Sequence, residues 1–187
     1  MDIQLNTLLV ALMFITILSM GIGNILISLA DIFNHATSSR RHRVHISWIV
    51  LLLIVHFNLF WQTKAILDVD GWEFGGFLFT MAGPVLLFLA TSVLLTNPPE
   101  GDPENLTSFF VGLGRRFFLF FALLQFWVMV VGFTLTGSFI VTDLVTAVFL
   151  VLVLALAAST SERFHQLGAL LAWGLGLVGF AIRWVGL

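Results

Sequence analysis

The chain has no cysteine and no tyrosine, and only 10% of its residues carry a charge. Without cysteine there can be no disulfide, no thiol catalysis and no cysteine-ligated metal or iron–sulfur centre. Without tyrosine there is no phenol to relay protons or radicals. So little charge is far below the roughly one quarter expected of soluble domains. The net charge of −2 also argues against a nucleic-acid partner, because neutralising phosphates needs a basic stripe.

What fills the chain is apolar. Hydrophobic residues make up 59%, phenylalanine alone occurs 20 times, and the mean hydropathy is +1.08. In 187 residues, six helices of about 20 residues leave room only for short loops. The expectation is therefore one all-α domain over 1–187, a polytopic membrane helix bundle. Its spans are expected at 5–30, 46–66, 72–96, 117–136, 139–158 and 167–185. The first apolar run is longer than a signal-peptide core and no A-x-A-like site follows it, so it reads as a retained span.

Local signals set the expected boundaries. Asp70 and Glu73 have the spacing of a capping box, which would start the third span near Gly71 or Trp72. Pro98 and Pro99 cannot be helix interior, whereas Asp102 before Pro103 makes a good cap and first turn. Leu106, Phe109, Phe110 and Leu113 then form one apolar stripe, predicting an interfacial helix over 103–113 that turns inward near Gly112 and Gly114.

Arg40, Arg41, Arg43, Arg115, Arg116 and Arg163 follow spans one, three and five, against Lys64 and Arg183 near the opposite ends. The positive-inside rule puts those arginine loops in the cytoplasm and both termini on the other side. Trp48, Trp61, Trp72 and Trp184 are expected as interfacial belt residues.

Polar residues inside hydrocarbon must face protein or water, so they mark where function should be sought. Asn24, Ser28, Asp31 and His35 fall within about 60° on the first span, either lining a wet vestibule or making a helix–helix seam. His56 lies at the middle of span two, as a proton carrier or as a histidine bonded to a neighbouring helix. Asn58 and Gln62 lie on the opposite side of that span, so both of its faces should be covered, in the bundle or by another subunit. Pro84 frees the carbonyl of Thr80, which together with His56 and Gln125 could form one polar layer at mid-depth.

Gly168, Ala172 and Gly176 form a small-xxx-small run suited to close helix packing, within the chain or between copies of a homo-oligomer. Asp143 and Arg183 are at similar depth and pair by default as ions. Asp31 with His35, His42 with His45, and Glu162 with His165 have spacings that can each present two ligands to a metal. The surrounding arginines oppose a divalent ion and suit anionic lipid headgroups instead. A single mid-membrane histidine in the chain does not provide bis-histidine haem ligation. Neither metal nor haem is therefore expected.

The order of Trp48, Phe60-Trp61, Pro84 with Leu87 and Ala90, Pro98-Pro99-Glu100 and Arg115-Arg116-Phe117-Phe118 resembles small bacterial six-helix membrane proteins without an assigned activity. The resemblance implies a bacterial inner membrane and assigns no site residue. The expected function is a small channel or transporter for protons or small ions. The alternatives are a non-catalytic membrane partner or assembly subunit, and an intramembrane or lipid-modifying enzyme with a cytoplasmic-side metal.

The absence of native cysteine makes the orientation directly testable. A cysteine introduced at Asp68 should react with an impermeant maleimide added outside intact cells, and one at Glu100 only after permeabilisation. The reverse pattern would invert the topology.

Overall fold

The computed structural model describes residues 5–34, 40–69, 71–96, 103–136 and 141–185. Every element within them is an α-helix: α1 (Leu5–Asn34), α2 (Arg40–Trp61), the single turn α3 (Lys64–Leu67), α4 (Phe74–Leu94), α5 (Pro103–Thr136), α6 (Val141–Ala158) and α7 (Glu162–Val185). Five stretches are long and apolar enough to cross a membrane: α1, Val44–Leu67, α4, Leu113–Thr134 within α5, and Glu162–Ile182 within α7. The shorter apolar stretch Asp143–Ala158 lies in α6.

Several expected boundaries move, each for a local reason. The second span keeps close to its expected extent, as Val44–Leu67, but is not one helix: regular α-structure ends at Trp61, and Thr63, Ala65 and Ile66 donate to carbonyls three residues back. Such tighter bonds are common at helix ends. The Lys64 ammonium lies 4.0 Å over the Trp61 ring, so this end carries a cation–π contact. The third span begins at Phe74, the start of α4, because Gly71 adopts a left-handed φ of 71° that helix cannot contain. Glu73 is the N-cap residue and makes no side-chain cap bond, so it is not the third helical residue of a capping box. Asp70 lies outside the described residues.

The expected break near Gly112 and Gly114 does not occur. Residues 103–113 are the first turns of α5, a continuous helix of 34 residues, about 51 Å long. Glycine weakens a helix by only about 1 kcal/mol, and no proline follows Pro103 to interrupt the ladder. A helix that long exceeds a hydrocarbon core of about 30 Å, so its ends must extend beyond it. α7 begins five residues before the expected 167, at Glu162. Ser161 accepts the first helical bond, from the His165 N–H, while its own N–H donates to Ser159 Oγ.

Around the bundle, α1 packs on α4, α4 on α5, α5 on α6, α6 on α7, α7 on α2 and α2 on α1. α2 also touches α4. Its buried residues Trp48, Leu52, His56 and Leu59 recur at intervals of three or four, a single inward stripe. Trp48 is 3% exposed and meets the rings of Phe117, Phe118 and Phe121 edge-on, and Phe121 in turn meets Phe149 of α6. The sequence expectation of an interfacial Trp48 is thus corrected. Three aromatic neighbours in favourable edge geometry outweigh what the headgroup region offers one indole.

The proline of α4 is locked against α5. Gly83 leaves the space occupied by Trp127, whose indole N–H donates to the Phe79 carbonyl over 2.7 Å. A Cβ at Gly83 would lie 2.4 Å from a Trp127 ring carbon. Gly83→Val should therefore lower stability by about 1–3 kcal/mol, visible as a lower melting temperature in detergent. A melting temperature equal to that of the parent would show that α4 and α5 need not approach so closely.

Candidate functional site

The inward stripe of α2 places His56 where no surface reaches it, at 0% exposure. Its ring is held from within its own helix: Nδ1 lies 2.8 Å from the Leu52 carbonyl. A carbonyl only accepts, so Nδ1 carries the proton and Nε2 is left with a lone pair. That Nε2 has no hydrogen-bond partner and faces α1 at Gly21, where a Cβ would stand 2.2 Å away. Leu18 and Ile25, on either side of Gly21 along the same face, are also fully buried. The glycine allows the imidazole to approach the α1 backbone, and the contact leaves no room for a ligand between them.

The residues expected to share a polar layer with His56 do not bond to it. Gln125 is half-buried on α5, and neither ring nitrogen of His56 reaches it. In α4 ahead of Pro84, the carbonyl taken by a side chain is that of Phe79, one residue before Thr80. No hydrogen bond joins the first-span stripe to His56 either. Asn24 and Asp31 are exposed, Ser28 is half-buried, and His35 lies outside the described residues. On the far side of α2, the Gln62 amide donates to Asn58, so these two carboxamides pair with each other while Phe57, Phe60 and Trp61 beside them stay exposed.

Of the residues with metal-ligand spacing, Asp31 and Glu162 are exposed, while His45 and His165 are half-buried. His35, and the side chain of His42, lie outside what is described. Among the described residues, no three such side chains converge. His165 directs Nε2 to the Ser159 carbonyl at 3.0 Å and stacks on Phe118. Glu162 accepts from Gln166 at 3.3 Å.

The small residues of α7 meet large neighbours within the chain. Gly168 lies against Leu156 of α6, where a Cβ would come within 2.5 Å, Ala172 is fully buried, and Gly176 faces Leu51 of α2. One turn along from these glycines, the Trp173 indole donates to the Ser47 hydroxyl of α2 over 2.8 Å. This bond joins residues 126 positions apart, and no spacing in the sequence signals it. Asp143 is buried at the start of α6, with Oδ1 where a Cβ of Gly132 would come within 2.8 Å. The side chain of its expected partner, Arg183, lies outside the described residues.

The His56–Gly21 contact generates a double-mutant test. Gly21→Ala should lower the melting temperature in detergent, and the same substitution in a His56→Ala background should cost less, with a coupling of about 0.5–3 kcal/mol. Additive effects would show that the two residues do not touch. No protein-family model matches this chain, and no curated protein or solved structure matches it.

Proposed function

We propose that this chain is a non-catalytic membrane partner or assembly subunit, a six-span protein of a bacterial inner membrane with both termini on the non-cytoplasmic side. The observation that carries this reading is the seal around His56. Its free nitrogen abuts the α1 backbone at Gly21, and no hydrogen bond joins it to the exposed Asn24 or Asp31. A proton or small-ion path through Asn24, Ser28, Asp31, His35 and His56 would need wetted space between α1 and α2, where the side chain of His56 already fills the gap. What remains available to a partner is surface. The outer face of α2 presents Phe57, Phe60 and Trp61 around the Asn58–Gln62 pair, a set of aromatic rings and carboxamides that a neighbouring membrane helix can engage.

Six crossings follow if α6 is counted as a span. Its 18 residues extend about 27 Å, close to the core thickness, and it packs between α5 and α7 along short connections. The arginines then gather on one side, where they suit anionic headgroups.

Proton flux separates partnership from conduction. Liposomes containing the purified protein and an internal pH dye should acidify no faster than empty vesicles under an imposed gradient. Purification from native membranes in mild detergent should retrieve a stoichiometric second protein. Flux above the empty-vesicle rate that His56→Ala abolishes would overturn the proposal in favour of a proton path.

A further inference from the structure

One flank of α1 carries a pattern whose apolar positions are exposed, apart from Ile17, which packs partly against the core. Met13, Met20 and Ile27 are spaced by seven and are 49%, 56% and 64% exposed. Ile17, Asn24 and Asp31 are also spaced by seven, and interleave with them at intervals of three and four. This is the 3.5-residue repeat by which two helices supercoil about each other, and a lone asparagine among its apolar positions is a device for setting register.

The depth of Asn24 gives that pattern a partner. Gly21 of α1 opposes His56 of α2. Asn24 lies three residues further toward the α1–α2 connection, about 4.5 Å. The middle of the apolar stretch Val44–Leu67 lies at His56 itself, so Asn24 is about 4.5 Å from mid-depth. The exposed carboxamide of Asn24 is therefore within one helical turn of mid-depth, inside the hydrocarbon core, where lipid offers it neither donor nor acceptor. Copies of one chain insert in the same orientation, so a two-fold axis along the membrane normal brings each residue of α1 opposite itself at the same depth. A carboxamide both donates and accepts, and so is complementary to its own copy.

We infer that the protein is a parallel homodimer through α1, with Asn24 of each copy hydrogen-bonded to Asn24 of the other and the methionines and isoleucines of the repeat packed above and below. Pairing of this kind is independent of whether the outer face of α2 binds another protein. It also leaves the His56–Gly21 contact intact, because that contact is on a different side of α1.

Single-cysteine variants of the full chain in native membranes, oxidised with copper phenanthroline, test the geometry. Met20→Cys and Ile27→Cys should form disulfide-linked dimers. Leu26→Cys, equally exposed at 50% but facing away from the repeat, should not. In liposomes, energy transfer between labelled copies should show that Asn24→Leu weakens dimerisation about tenfold, while Asn24→Gln, which keeps the carboxamide, largely preserves it. Monomers at Met20→Cys and Ile27→Cys, a cross-link to a different protein there, dimers at Leu26→Cys to the same extent, or an Asn24→Leu protein that associates like the parent would each overturn the inference.

Discussion

In a bilayer, lipid tails are as apolar as leucine, so burial alone gives one helix little reason to prefer another. The bundle therefore depends on how closely its helices can approach, and most of that closeness is arranged by pairing a glycine on one helix with a large side chain on the next. Gly21 admits His56, Gly83 admits Trp127, Gly132 admits Asp143 and Gly168 admits Leu156. These four contacts join α1 to α2, α4 to α5, α5 to α6 and α6 to α7. In each, the gain is dispersion across a tight interface, which a single added methyl group would prop open.

The polar groups inside obey a second constraint, that hydrocarbon supplies no hydrogen bonds. Most are satisfied locally or across one interface. Thr91 donates back to Leu87, Trp127 to the Phe79 carbonyl and Trp173 to Ser47. His56 is satisfied on one side only. Its unpaired nitrogen is aimed at a helix backbone, and this is why the middle of the bundle behaves as packing and the search for function moves to the surface.

On that surface two polar features differ in kind. The Asn58–Gln62 pair already bonds within α2 and adjoins aromatic rings near the Trp61 end. Asn24 stands exposed on α1, one helical turn beyond Gly21. The first can remain in lipid at modest cost and still serve a partner. The second is resolved most simply by symmetry. Both follow from the same accounting of donors and acceptors that makes the helices themselves obligatory.

Composition and hydropathy were enough to establish helices and their order, though fewer of their ends, because a chain that must satisfy its backbone in lipid has few alternatives. They also singled out His56, Asn24 and the α7 glycines as positions needing explanation. Turn chemistry was less legible: the left-handed Gly71 displaced the start of α4, and two glycines that looked like a bend were absorbed by the long α5. Only the tertiary structure decided which helix each residue meets. It turned Trp48 from the interface into the aromatic core, set His56 against Gly21 and away from Gln125, and left Asn24 outside. Hydropathy measures a residue against its solvent, whereas those choices are made between neighbours distant in sequence, whose shapes no linear pattern encodes.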